Sequence, residues 1–587
     1  MKNSLLFVLT TLFVVTSNYY FLDSPDNQFL EFSSHSIWNI FFIFIIYNFF
    51  KYAFSFSLEK RINLWTLTFS IFFTIILQVG KSIYYTDTII KFFNSGIFIT
   101  ITQSISFCMF FFASLRVLYN HVYINSGEKQ LKLINKTPNK YFNVITFTLI
   151  FTSFFLAFLS YFPGILSYDS LREITLENYY FRLDPPIYCY YITSIVRLGF
   201  FLQIEPIIIY GILQMLFLSY VMTRTTYFLK TNLVNGNLIL ICFLMIILNP
   251  TIAIFSIIPA KEPFLACFLQ LLIINIMQNL KKPSILRNNI LKQCIIIFQI
   301  TLCCLLRNNV IFAIIPTFFY IFLNRYYKLA TLFFISICLY FFVQYPIYDY
   351  FNIKDGSISE SMSVPLNQWA NIVVNDEYKL TPKEKDAIDT FIPYSKIKQD
   401  FNPRFSDPIK RNFKEDNFLL NKKLFFITYF KLFFKFPVRY IDAFLNLCLP
   451  YWYFDASSID KYSNRMYIET QILNNTEYHF ERKSYIPVLL KIYESFANLD
   501  YVKKVPVLYF IFSLSTPFFL ILISSFILIV TKRFDLLIIN FLYLTLLTTY
   551  FLGPVSNFRY IFPFVCAYPI FILFIFGSKN INKLKNF

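Results

Sequence analysis

The chain has 587 residues, of which 57% are hydrophobic and 14% charged, with 78 Phe, 43 Tyr and only 10 Gly. An ordinary soluble domain carries about 25% charged residues, and no soluble fold of this length hides so much apolar surface. The composition therefore predicts an all-α polytopic membrane protein. The net charge of +19 reads as membrane orientation, as its distribution along the chain indicates, and implies no nucleic acid.

A helix needs about 20 apolar residues to cross a bilayer. Runs of that kind predict spans near 4–22, 36–53, 62–80, 92–115, 141–162, 205–229, 236–258, 263–280, 289–306, 309–324, 329–346, 505–530, 536–552 and 561–577, about fourteen in all. The first run looks like a signal peptide but lacks a small-residue cleavage site, so it reads as a retained helix. With the N-terminus in the cytoplasm, the loops on that side hold 22 lysines and arginines against three acids, Glu59, Glu128 and Asp535. The whole net charge then falls on one face, as the positive-inside rule expects. Both termini are predicted cytoplasmic, in a cell inner or plasma membrane.

This assignment requires that 187–203 does not cross. Arg197 sits in its middle, and the segment reads as a helix along the membrane surface. The preceding loop is then extracytoplasmic. Five blocks follow: a four-span unit 1–115, a basic cytoplasmic linker 116–140, a membrane core 141–346 with outer loop 163–204, a mostly helical extracytoplasmic domain 347–503, and a three-span unit with a basic tail, 504–587. Within the hydrophilic block, Thr381 before Pro382 predicts a capped helix over 380–391. Residues 424–449 are apolar but carry Lys431, Lys435, Arg439 and Asp442, a pattern that suits an interfacial helix better than a span. The ten cysteines lack CxxC spacing and mostly lie in apolar runs, which reads as buried thiols. Three scattered histidines make no metal pattern.

Charged residues beside a bilayer are costly, and this singles out a few. Asp169, in Phe162-Pro-Gly-Ile-Leu-Ser-Tyr-Asp169-Ser, follows the end of a span. It reads either as a carboxylate that takes a proton from an acceptor or binds a cation or sugar, or as the cap of a helix starting at Ser170. Glu262 follows Lys261 in a tight outer hairpin. It reads as a second acid of the same site, or as an acid favoured by a helix N-terminus. Lys261, Arg307 and Arg559 share that face. A guanidinium fork suits a lipid phosphate, although snorkelling to headgroups is the plainer use. Asp184 before Pro185-Pro186 reads as punctuation ahead of the surface helix.

The Pro-Gly-Ile-Leu-Ser-Tyr-Asp169-Ser loop, Asp184-Pro-Pro, Lys261-Glu262 and Arg559-Tyr560 followed by Pro563 together resemble the C-type membrane glycosyltransferases. These include the family 39 mannosyltransferases and the lipid A aminoarabinose transferases. The nearest likeness is to a bacterial polytopic membrane family of that class. It is echoed in Leu305-Leu-Arg307-Asn308-Asn309, Ser361-Met-Ser-Val-Pro365-Leu-Asn-Gln368 and Asp407-Pro408-Ile-Lys410. The likeness covers roughly 141–577. The family 39 pattern has His-Pro-Pro where this chain has Asp184-Pro-Pro, and commonly Asp where this chain has Glu262. The resemblance implies a polyprenyl-phosphate sugar donor and an extracytoplasmic glycan, lipid or protein acceptor. It implies Asp169 and Glu262 as catalytic acids, and Arg559, Tyr560, Lys261, Arg307 and Asp184 as substrate- or phosphate-binding residues, with room for a divalent cation. A polysaccharide polymerase or ligase, relying more on arginines, is the alternative. A transporter or flippase would place charges in mid-membrane and use paired broken helices.

Overall fold

The computed structural model describes residues 2–22, 38–93, 96–124, 137–166, 170, 185–232, 235–281, 289–353, 356–458, 483–497 and 499–583. Among these every regular element is a helix and there is no strand, only an isolated bridge between Phe405 and Val555. In lipid every backbone donor and acceptor must be satisfied within the segment, and a helix does so. Seven helices are long and apolar enough to cross a membrane: Lys60–Thr86, Ile97–Val122, Asn139–Ser160, Pro206–Asn232, Lys261–Lys281, Tyr327–Tyr350 and Phe558–Gly577. The chain is thus a membrane protein. Shorter apolar helices occupy the remaining expected runs.

Two expected spans are interrupted. The run 236–258 is a helix Gly236–Ile247, a break, and a short helix Pro250–Phe255. Pro250 has no N–H to continue the ladder, and the Asn249 side chain accepts from the Thr251 N–H at 2.9 Å, starting a new helix. The run 505–530 divides into Pro506–Phe512 and Thr516–Val530. Pro517 in the first turn of the second helix accounts for that break in the same way.

The chain forms two compact units, Met1–Gly127 with Phe526–Lys532, and Glu128–Ser525 with Arg533–Phe587. In the first, the helices Lys2–Leu22, Trp38–Ser55, Lys60–Thr86 and Ile97–Tyr119 pack through aromatic rings. Phe13 stacks on Phe110 with centroids 4.8 Å apart. Arg116, grouped by sequence with the linker, lies inside the last of these helices and is buried. Its guanidinium donates to the Ala53 carbonyl at 3.1 Å and also to Asn63 and the Phe56 carbonyl, so it ties down the 53–63 turn. Thr66, Ser70 and Thr74 line one face of Lys60–Thr86, and each hydroxyl donates to the carbonyl four residues back. These polar groups are thereby tolerated in an apolar helix.

In the second unit Phe558–Gly577 is the most deeply buried candidate span, followed by Lys261–Lys281. The helix Pro186–Leu202 is two-faced. Tyr188, Ile192, Ile195 and Val196 pack with Tyr210 and Leu306, while Tyr190, Arg197, Leu198 and Phe201 are exposed. The hydrophilic block has its own core around Trp369, Ile388, Phe391, Phe425, Leu432 and Tyr440. The expected helix over 380–391 is Pro382–Phe391 with a full capping box between Thr381 and Glu384. The apolar stretch 424–449 is two helices, Lys422–Lys435 and Pro437–Trp452, separated at Pro437. The second is no surface helix: Tyr440, Asp442, Ala443 and Asn446 to Trp452 are buried. The motif residue Gln368 links these helices, donating to the Tyr440 carbonyl at 3.2 Å and accepting from the Tyr429 hydroxyl at 2.6 Å. Lys410 of the Asp407-Pro408 motif is buried between Glu360 and Asp407, at 2.8 and 2.9 Å.

Candidate functional site

The residues 256–260 connect Pro250–Phe255 to Lys261–Lys281 without regular structure, yet all are buried. Buried non-helical backbone needs side-chain partners for its carbonyls. Gln214, on the helix Pro206–Asn232, donates to the carbonyls of Phe255 and Ile258, both at 2.9 Å. Tyr210, one turn earlier, donates to the Gln214 side chain at 2.6 Å and reaches the Ala260 carbonyl at 3.4 Å. Ser170 donates to the Pro259 carbonyl. This scaffold holds the start of the helix that carries Lys261 and Glu262.

Glu262 is 1% exposed. Arg307 enters from the next hairpin. It follows the helix Ile290–Leu306 in an extended conformation, φ −154° and ψ 110°, which stops the helix and turns the side chain aside. Its Nη1 donates to Glu262 Oε1 at 2.7 Å. Asn308 beside it accepts from Gln344 at 2.9 Å. Arg559 arrives from the first turn of Phe558–Lys583, with its Nε 3.4 Å from the same Glu262 oxygen. Glu262 Oε2 is buried and has no hydrogen-bond partner among the described residues.

Aromatic rings complete the cluster. The Arg307 guanidinium lies 4.4 Å from the Tyr560 ring centroid and 4.8 Å from that of Tyr550. The Arg559 guanidinium is 5.0 Å from Tyr560 and donates to its hydroxyl at 3.2 Å. Aromatic faces stabilise a partly desolvated cation, and both guanidinium groups lie against such faces. The turn before Arg559 is fixed from the helix Pro437–Trp452. The Tyr451 hydroxyl accepts from the Asn557 N–H at 2.9 Å, and Ser556 donates to the Leu447 carbonyl at 3.0 Å. Asn557 in turn accepts from the Arg559 N–H at 2.9 Å. From the other side, the Ser406 N–H donates to the Pro554 carbonyl at 3.0 Å.

Of the residues expected to act together, the structure brings together Glu262, Arg307, Arg559 and Tyr560. Lys261 heads the same helix as Glu262 and is partly exposed. Asp169 and Asp184 lie outside the described residues. Ser170, next to Asp169, is hydrogen-bonded three residues ahead of Glu262. Sequence reasoning passed over Tyr550, Tyr451, Asn557 and Gln214. The one available signal was that each is a polar side chain in or beside an apolar run. Two guanidinium groups and one carboxylate leave a net charge of +1, suited to an anion. Glu262 fits poorly as a ligand for the divalent cation the sequence left room for, because two cations already face it. Among the described residues no group of three His, Cys, Asp or Glu is placed to hold a metal.

The Glu262–Arg307–Arg559 cluster lies wholly within residues 204–585, which match the model of a family of unknown function, DUF6020. No curated protein and no solved structure matches the chain. The match takes in more than half of the chain, including the cluster and every helix that presents it, and the chain belongs to the DUF6020 family.

Proposed function

We propose that this protein is a membrane glycosyltransferase with a C-type-like fold and about fourteen spans. In this reading it moves a sugar from a polyprenyl-phosphate donor to an extracytoplasmic glycan, lipid or protein of the cell envelope. The observation that carries the reading is the pair Arg307 and Arg559, converging on Glu262 and backed by Tyr550 and Tyr560. Glycosyl transfer breaks the bond between the sugar C1 and the phosphate oxygen, and the acceptor oxygen takes its place. The phosphate departs with the bonding electrons. Guanidinium groups already fixed in position stabilise that developing charge without reorganising at the moment of reaction. The geometry of the cluster supports the roles given to Glu262 and the arginines, and the sequence supports the one given to Asp169. Arg307 and Arg559 hold the leaving phosphate, with Lys261 beside them. Glu262 sets the two arginines side by side through one oxygen and offers the other to a donor or acceptor hydroxyl. Asp169 takes the acceptor proton. The Ser170 hydrogen bond to Pro259 supports bringing Asp169 into this site.

A second reading, a polysaccharide polymerase or ligase, is favoured by the same two arginines, since such an enzyme needs phosphate-binding cations more than a base. The test uses membranes supplied with lipid-linked sugar and scored for transfer. Arg307→Ala and Arg559→Ala should each lower the rate about a hundredfold or more. Asp169→Asn should abolish transfer by the glycosyltransferase route, whereas transfer that survives in Asp169→Asn and fails in Arg559→Ala points to the polymerase or ligase. Full activity in both arginine variants, with the protein still folded, refutes both readings.

A further inference from the structure

The helix Lys422–Lys435 presents an apolar face that no described residue of the second unit covers. Its inner face, Phe425, Thr428 and Leu432, belongs to the core around Trp369. Ion pairs from Lys431 and Lys435 to Glu384, at 3.1 and 2.8 Å, fix its roll on the neighbouring helix Pro382–Phe391. The opposite face, at helical spacing, carries Ile427, Phe430 and Phe434, which are 57%, 55% and 78% exposed, and Leu420, at the end of the preceding helix Glu415–Leu420, is 82% exposed. Contiguous exposed apolar surface of this kind marks an interaction site.

Three observations identify its occupant as a lipid surface. The sequence Lys422–Lys435 holds four lysines and no acid, the composition of a helix that lies in an anionic interface. The segment 356–458 begins soon after Tyr350, the end of the candidate span Tyr327–Tyr350. It is also bonded through Ser406 to the turn between the apolar helices Phe534–Tyr550 and Phe558–Lys583. Both attachments hold this domain within a loop's length of a bilayer.

We propose that the helix Lys422–Lys435 is seated in the bilayer interface. Ile427, Phe430 and Phe434, with Leu420 of the preceding helix, lie among the upper acyl chains, while Lys422 and Lys423 extend to anionic headgroups. The inference is independent of the reaction proposed above. It narrows the interfacial stretch 424–449 to its first helix and names the face that enters the lipid.

The test places a benzophenone-bearing phenylalanine analogue at Phe430 or, separately, at Phe434 of the full chain in nanodiscs. Asp386, exposed on Pro382–Phe391, serves as the control position. Both substituted phenylalanines are on the exposed face, so the core is untouched, and agreement between the two sites guards against a local artefact. Irradiation should give lipid adducts at 430 and 434 roughly tenfold above those at 386, and phosphatidylglycerol discs should give more than phosphatidylcholine discs. Adducts at 430 and 434 no more frequent than at 386, or adducts to a second copy or another protein, overturn the proposal. Equal yields in the two lipids overturn the role given to the lysines.

Discussion

Glu262 should be the residue whose removal costs the second unit most, and the cost should vanish when its partners go too. In Glu262→Leu, Arg307 and Arg559 face each other with no counter-charge, at exposures of 13% and 22%. Two unit charges 4 Å apart interact by about 4 kcal/mol at an effective dielectric constant of 20. Breaking a buried pair from one side costs about 3–5 kcal/mol, because the remaining charge stays buried and uncompensated. Replacing all members by apolar residues of similar volume is often close to neutral. Glu262→Leu should therefore lower the apparent melting temperature of the purified full chain by several degrees. The triple variant Glu262→Leu, Arg307→Leu, Arg559→Leu should recover most of the loss. The assay is thermal unfolding in one detergent, followed by loss of monodisperse elution. A Glu262→Leu protein as stable as wild type, or a triple variant no better than the single, would show that these charges do not compensate one another.

Two further outcomes follow from the scaffold and the hydrophilic domain. Gln214→Leu leaves the Phe255 and Ile258 carbonyls without their donor, at about 1–3 kcal/mol each. The same melting assay should register that loss, while Gln214→Glu, which keeps the acceptor for Tyr210 but removes the donor, should not rescue it. In the second case burial pushes the Glu384 carboxyl upward, but hydrogen bonds from Lys435, the Thr381 N–H and Lys431 outweigh it and hold the group at about 2, below its ordinary value of 4.5. A depressed carboxylate stabilises the fold above its unfolded value and loses that contribution as pH falls toward the folded one. The stability gap between wild type and Glu384→Gln should thus be about 2–3 kcal/mol above pH 4.5, allowing for screening of the exposed Lys431, and close toward pH 2. A gap that stays constant from pH 6 to pH 3 contradicts the assignment.

Much of the helical layout was legible in the sequence because the solvent is lipid. A bilayer allows few backbone solutions, so each long apolar run reads directly as a helix. Proline and threonine chemistry is equally local, as the capping box at Thr381 and Glu384 shows. Misreadings came where proline met an apolar run. The stretches 236–258, 424–449 and 505–530 look continuous by hydropathy, yet Pro250, Pro437 and Pro517 divide them. Hydropathy averages over a window, whereas a missing N–H acts at a single residue.

The sequence by itself determined that this is a helical membrane protein, and that its few acids and arginines beside apolar runs were costly enough to need a reason. It could not say which charges meet. Glu262, Arg307 and Arg559 come from three turns well separated in the sequence, yet both guanidinium groups meet one carboxylate oxygen. Only the tertiary structure decided that, and it also decided which tyrosines lie under the guanidinium groups and which side chains hold the buried turn 256–260. The physical reason is that desolvation sets a cost on each charge alone, a property of local composition. Compensation depends on distances of a few ångströms between elements, and these exist only once the helices have packed.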